Sequence, residues 1–356
     1  MRYAVIMAGG AGVRLWPLSR RRRPKQVLRL FDQTSLLRQS YNRVATLHDA
    51  EHICVITTED HRPAVEAELP ELPKHNLFTE PVGRDSANAV ALAAALLVKR
   101  DPDAVIGTFT ADHMISPTAA FRATIEKAYG VVDRHPDSLV TMGIRPSRPD
   151  TNYGYIRRGE RIAEGVFRVE KFTEKPNVGK AMKYLAAGEY YWNSGMFAWR
   201  ASTILAELKK RLPQSFEGAT RVAEAWDSDA RSSLLAELYP KLMKISIDFA
   251  VMEQAEDVLV VEMNCHWVDM GSWPAIESLI GADADGNVST TGDVVHLGSR
   301  GNIVVTEEKH LIATIGVDDL VIVHSPDATL ICTKRDAAAI RELVENINGR
   351  YGEDYV

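Results

Sequence analysis

The stretch Tyr3-Ala4-Val5-Ile6-Met7-Ala8, running directly into Gly9-Gly10-Ala11-Gly12-Val13-Arg14-Leu15-Trp16-Pro17-Leu18, decides the reading of the fold. Residues 3–8 form an unbroken apolar run, the pattern of a strand covered on both faces. Three glycines in four positions then let backbone N–H groups turn inward and approach a polyanion, and Arg14 adds a fixed cationic fork. No GK[ST] closes the loop, so it is not a Walker A sequence. Leu15 stands where a dinucleotide fingerprint needs its third glycine. A tight strand-to-helix turn with an incidental arginine is the bland alternative. Lys25, framed by Pro24 and Gln26 a few residues on, weighs against it. A nucleotide-phosphate loop is the expectation. The run Arg20-Arg21-Arg22-Arg23 reads as the solvated edge of that loop, with one or two arginines on the ligand.

Outward from this loop, strand and helix signals alternate. Residues 53–57, 104–109 and 139–143 read as strands, and residues 35–47, 85–99 and 121–132 as helices. Alternation of this kind predicts an α/β fold, Rossmann-like, with a mixed, mostly parallel sheet and helices on both faces. Ligands in such folds sit beyond the carboxyl ends of the strands. Near Gly281 the character changes to short β-rich pieces separated by Gly and Asp turn signals, then a closing helix over residues 336–348. A catalytic domain over 1–280 and a β-rich tail over 281–356 follow. The tail is a few coils of a β-helix or a small sandwich, ending in a helix.

Composition narrows the function. Of 356 residues, 25% are charged and 46% hydrophobic, a soluble-globular balance. A net charge of -6 provides no broad basic field, so nucleic acid is not an expected partner, whereas a small anion needs only a local cation cluster. The longest uncharged apolar run, residues 89–98, is too short to span a bilayer, so no membrane partner is expected. Cys54, Cys265 and Cys332 are scattered and odd in number, which suits a reducing compartment, and the start lacks the marks of a secretory signal. The expected location is cytoplasmic.

The loop Gly-Gly-x-Gly-x-Arg-Leu-Trp-Pro-Leu-Ser-Arg followed by Pro24-Lys25-Gln26 resembles the signature of the sugar-1-phosphate nucleotidyltransferases, specifically the mannose-1-phosphate guanylyltransferases. Seven further ordered motifs extend the resemblance to about residue 280: Glu80 to Arg84, Ala111 to His113, Tyr153 to Ile156, Phe172 to Pro176, Trp192 to Phe197, Ser246 to Asp248 and Trp267 to Trp273. The tail is similar, more loosely, to the family's short left-handed β-helical appendage. The resemblance implies transfer of GMP from GTP to mannose 1-phosphate, giving GDP-mannose and pyrophosphate, with Mg²⁺ as cofactor. A different base or sugar within the same family, and a non-catalytic sensor of nucleotide sugars on the same fold, are the rival readings. The sensor is expected to have lost Arg14, Lys25, Asp112 or Asp269, and all four are present.

The resemblance also implies roles. Arg14 and Lys25 are the triphosphate clamps and, with Asp112 and Asp269, the catalytic set. Asp112 and Asp269 are the metal pair, and His113 and His266 are structural or stand behind the ligands, since zinc spacing is absent. The nucleotide site comprises Ala8, Gly9, Gly10, Gly12, Glu80, Pro81, Gly83, Arg84 and Asp112, with Glu80 accepting from the adjacent N1–H and N2–H₂ donors of guanine. The sugar-phosphate site comprises Tyr153, Gly154, Glu174, Lys175, Asn193, Gly195 and Asp248. Ala11 and Val13 depart from the family's usual hydroxyl residues, which leaves the backbone cradle but removes side-chain contacts there. Relatives that carry a fused mannose-6-phosphate isomerase need more chain than 356 residues, so a monofunctional form is expected, as a monomer or a homodimer.

Overall fold

The structure is a computed structural model describing residues 1–31 and 33–356. Its strands are β1 (Arg2–Met7), β2 (Ile53–Thr58), β3 (Leu77–Glu80), β4 (Val105–Thr110), β5 (His113–Ser116), β6 (Leu139–Ile144), β7 (Tyr155–Ala163), β8 (Val166–Thr173), β9 (Tyr190–Arg200), β10 (Val258–Met263) and β11 (His266–Asp269), followed in the tail by β12 (Val288–Ser289), β13 (Val294–Leu297), β14 (Ile303–Thr306), β15 (Ile312–Ile315), β16 (Leu320–His324) and β17 (Thr329–Thr333).

The apolar run opening the chain is β1, at the heart of a nine-stranded sheet in the order β3-β2-β1-β4-β9-β6-β10-β8-β7. Val5 and Ile6 are fully buried on opposite faces, one in each of the two cores that sandwich the sheet. β8 and β9 run against the other strands, so the sheet is mixed and mostly parallel in direction. The helices expected from periodicity are present. Leu36–Val44 is capped by Ser35, whose side chain accepts from the Arg38 N–H, and Ser86–Arg100 is capped by Asp85. The alanine-rich face of Ser86–Arg100 lies flat against the sheet and against the helices Ala201–Arg211 and Pro213–Glu224, close approaches that small side chains permit.

Two features off the main sheet position the site. The short ribbon β5–β11 is antiparallel, with His113 opposite Asp269, and a Met270 N–H to Asp112 carbonyl bond of 3.2 Å closes its end. A helical insert, Ala201–Leu238 and the turns that follow it, packs over the β1–β2–β3 side and returns to β10.

The tail is built from parallel coils rather than a sandwich. β12, β14 and β16 stack in parallel, as do β13 and β15, and only β17 closes the stack antiparallel. At one corner Asn302 donates to the Asn287 Oδ1 at 3.0 Å and to the Val317 carbonyl at 2.9 Å, which satisfies buried backbone between coils. Ile303, Val305, Val321 and Val323 share one continuous core with Leu15, Trp16, Leu28 and Trp273 of the preceding part of the chain. The closing helix is Ile340–Tyr351, preceded by a turn over Lys334–Ala339. Among the described residues, no helix is long and apolar enough to cross a membrane.

Candidate active site

The loop after β1 lies at the carboxyl edge of the sheet. Ala8 is buried and tied to β2: its N–H reaches the Ile56 carbonyl and its carbonyl accepts from the Thr57 hydroxyl at 2.9 Å. Gly12 adopts φ +69, and a Cβ there would fall 2.4 Å from the Lys25 Cβ, so the loop folds directly onto the lysine stem. The Gln26 amide donates to the Gly10 carbonyl at 2.8 Å and closes the loop from below. Gly10, Gly12, Arg14 and Lys25 line a cleft of about 630 Å³. Arg14 has no ion-pair partner among the described residues, so its guanidinium is available to a ligand.

Lys25 is ion-paired with Asp112. Burial pulls the Lys25 ammonium down, but Asp112 and Asp269 outweigh it and hold it above its ordinary value. Burial likewise works against the Asp112 carboxylate, and Lys25 keeps it below the usual carboxylate range. Both ions are therefore charged in the cleft.

The ribbon register brings Asp112, His113 and Asp269 together, with one donor atom from each within 4.8 Å of the others. The Trp267 indole N–H donates to His113 Nδ1 at 3.1 Å. Burial lowers the His113 pKa, so the ring is neutral and its proton sits on Nε2, which faces Asp269 Oδ1 at 4.0 Å. A protonated nitrogen cannot ligate a metal. The donor set that remains is the two carboxylates, which fits Mg²⁺, a cation that takes one or two carboxylates and fills its shell with water and phosphate.

A second cavity, about 520 Å³, adjoins the first and shares Gly10, Ala11, Arg21 and Lys244 with it. Gly9, Glu80, Pro81 and Gly83 line it. Glu80 is 3% exposed and burial pushes its carboxyl up to about 7, against the Tyr239 hydroxyl, which donates to Oε1 at 2.5 Å. Arg84 is not among the lining residues. Its guanidinium reaches the carbonyls of Tyr239 and Pro240, so it shapes the pocket by holding the insert.

Glu174, Lys175, Asn193 and Asp248 converge in a further cluster, where the charges of Asp248 and Asp269 both bear on Lys175. Lys175 takes φ +45 and its ammonium lies 2.6 Å from Glu174 Oε1. Glu174 Oε2 is buried without a partner, and a Cβ on Gly154 would come within 2.4 Å of it. Asn193 donates to Asp248 Oδ1 at 2.7 Å, and its own Oδ1 accepts from the Gly195 N–H at 3.1 Å. Asn193 thus orients Asp248. Burial, with Glu174 adding to it, raises the Asp248 carboxyl to about 6. Tyr153 packs edge-on against Trp192 and Trp267 beneath this cluster.

Within the arginine run Arg21 lines both cavities, and the run is also engaged by the tail. Arg20 pairs with Asp327 and bonds the Tyr355 carbonyl, Arg21 pairs with Glu353, and Arg23 pairs with Glu307. These cations dock the tail onto the signature loop. Arg341, Val344, Asn348 and Val356 complete the phosphate-side cleft. Sequence reading missed these residues, together with Tyr239 and Lys244. None belongs to a local motif, and each reaches the cleft only through tertiary packing.

A mixed sheet with a glycine loop at its carboxyl edge, a lone arginine, a lysine and paired carboxylates defines a nucleotidyl transferase, and the Nucleotidyl transferase family profile matches residues 3–285. The MannoseP isomerase/GMP-like beta-helix domain profile matches residues 292–347. The mannose-1-phosphate guanylyltransferase of Escherichia coli K12 is 40% identical over 361 residues, covering 98% of this chain and 74% of that protein. The mannose-1-phosphate guanylyltransferase of Klebsiella pneumoniae is 38% identical, covering 99% of this chain and 75% of that protein. A crystal structure from Thermus thermophilus, named as a mannose-1-phosphate geranyltransferase, superposes with a TM-score of 0.87 at 36% identity, covering 98% of this chain and 99% of that one. The chain belongs to the mannose-1-phosphate guanylyltransferase family, and it is an enzyme of the nucleotidyltransferase class. Enzymes of this class generally work with a divalent cation.

Proposed function

We propose that the chain transfers GMP from GTP to mannose 1-phosphate, releasing pyrophosphate and forming GDP-mannose. One observation carries the reading: the cavity headed by Glu80 shares Gly10 and Ala11 with the cleft lined by Lys25, Lys25 is paired with Asp112, and the charges of Asp269 and Asp248 both bear on Lys175. GTP lies with guanine against Glu80 and its phosphates along the Gly9–Gly12 loop. Lys175 holds the phosphate of the sugar, and the orphaned Glu174 Oε2 accepts from a mannose hydroxyl. The sugar phosphate oxygen forms the new bond to the α-phosphorus as the bond to the bridging oxygen breaks, and that electron pair leaves with pyrophosphate. Lys25 and Arg14 neutralise the charge on the departing group. Asp112 and Asp269 would hold Mg²⁺, which supplies charge neutralisation at the phosphates when bound.

A panel of GTP, ATP, UTP and dTTP against mannose and glucose 1-phosphates, read by pyrophosphate release, tests this reading. Turnover best with another pair reassigns the substrates, and tight GTP binding with no turnover revives the sensor. We place the boundary of the catalytic unit at 1–280, with residues 281–356 as a tail that completes the phosphate cleft, and the enzyme in the cytoplasm, which suits three free cysteines. Val295, Leu297 and Ile315 form an exposed apolar face on the tail that suits a homodimer. A monomer mass by light scattering refutes that assembly.

A further inference from the structure

Behind Glu80, which lines the base cavity, the insert places the Tyr239 side chain, while Lys244 of the same insert lines the cavity itself. Tyr239 is 2% exposed, and its hydroxyl meets Glu80 Oε1 at 2.5 Å. The other oxygen, Oε2, has no partner among the described residues and lies 3.5 Å from where a Cβ on Gly9 would stand, on the side that lines the cavity. The contact is doubly fastened. Four residues after Glu80, the Arg84 Nε donates to the Tyr239 carbonyl at 3.3 Å, and its guanidinium also reaches the Pro240 carbonyl. Burial and the Glu80 charge keep the phenol pKa well above its ordinary value, so the hydroxyl keeps its proton and can only donate here.

We propose that Tyr239 is a positioning residue for base selection: its hydroxyl fixes the rotation of the Glu80 carboxylate so that Oε2 presents its lone pairs to the paired donors of guanine. The inference rests on the reading of Glu80 as the guanine acceptor. A carboxylate on three rotatable bonds, pinned at one oxygen by a charge-assisted bond, has little freedom left at the other. A purine lacking the paired donors leaves that oxygen buried and unmatched, which is where discrimination arises. Tyr239 comes from the helical insert, so part of the base specificity resides outside the sheet and its signature loops.

The experiment measures kcat and KM for GTP and ATP, with mannose 1-phosphate saturating, in the intact chain, Tyr239→Phe and Glu80→Gln. Tyr239→Phe is expected to raise the KM for GTP with kcat retained, to lower the GTP:ATP ratio of kcat/KM by about 10–100-fold, and to leave the KM for mannose 1-phosphate unchanged. A purely structural role moves all three constants together and leaves the ratio where it was. A ratio within twofold of the parent in Tyr239→Phe, while Glu80→Gln collapses it, overturns the positioning role. A ratio unchanged in both variants removes the Glu80 reading itself. If Tyr239→Phe does not fold, Arg84→Met loosens the same segment from its other fastening. It is expected to lower the ratio in the same sense, and an unchanged ratio there overturns the proposal.

Discussion

Replacing Gly12 with alanine is expected to lower both stability and catalysis, and the two losses separate. At φ +69 the left-handed backbone costs an L-residue about 1–2 kcal/mol. The added methyl then meets three atoms of one stem, Lys25 Cβ at 2.4 Å, Cγ at 2.7 Å and Cδ at 2.9 Å. Cβ is fixed to the backbone of the short turn Lys25–Val27, so no rotation of the side chain relieves the closest of these contacts. Overpacking of this kind costs about 1–3 kcal/mol, for a total of about 2–5 kcal/mol. Gly188 provides the control. It has φ +68 at a helix end with nothing within 4 Å of its Cβ position, so Gly188→Ala loses only the backbone part, about 1–2 kcal/mol. Urea denaturation of the two variants isolates the steric part by difference. Relief of the clash pushes Lys25 off Asp112, and displacement of about 1 Å at a reacting centre is worth about 100-fold in rate, so kcat/KM for pyrophosphate release falls by that order in Gly12→Ala alone. Equal destabilisation in both variants, or a Gly12→Ala enzyme within threefold of the parent rate, refutes the argument that the loop is built on the lysine stem.

Three further outcomes are expected. Asp269→Asn, which leaves the Lys25–Asp112 pair intact, lowers kcat by about 10²–10³-fold and raises the Mg²⁺ concentration needed for half-maximal turnover, with melting nearly unchanged; an unaltered Mg²⁺ titration removes Asp269 from the metal pair. The KM for GTP rises as pH falls from 8 to 6, because Glu80, held near pH 7 by burial with Asp85 adding to it, loses the charge that accepts from guanine; the same raised value means the fold takes up a proton there, so the stability contributed by this group is present below about pH 4.3 and is lost as pH rises through 7, and both trends vanish in Glu80→Gln. Lys175→Ala raises the KM for mannose 1-phosphate about tenfold or more with the KM for GTP unchanged, and equal changes in both constants place Lys175 elsewhere.

What is legible in the sequence follows the range of the interactions. The strand–loop unit at residues 3–18 is local: an apolar run, three glycines and an arginine define each other within one turn, and the structure keeps that order. The tail strands are equally legible, since each is a short β-branched run closed by its own turn, and β13, β16 and β17 fall where those runs stand. The strand β9 is not legible as a strand, although its Trp192–Phe197 motif is, because Asn193, Ser194 and Gly195 interrupt the apolar run that marks a strand buried on both faces. The arginine run marks the limit most clearly. Four adjacent cations beside a phosphate loop look like ligand groups as long as their partners are out of view. Those partners, Asp327, Glu353 and Glu307, lie hundreds of positions away, and once they are counted Arg20, Arg21 and Arg23 are each matched by a carboxylate. Among the described residues of this loop Arg14 and Arg22 have no carboxylate partner, and of the two it is Arg14 that lines the cleft. A chain with a net charge of -6 therefore keeps unpaired cations, Arg14 and Lys244, on the cleft, and uses Arg20, Arg21 and Arg23 to hold the tail against it.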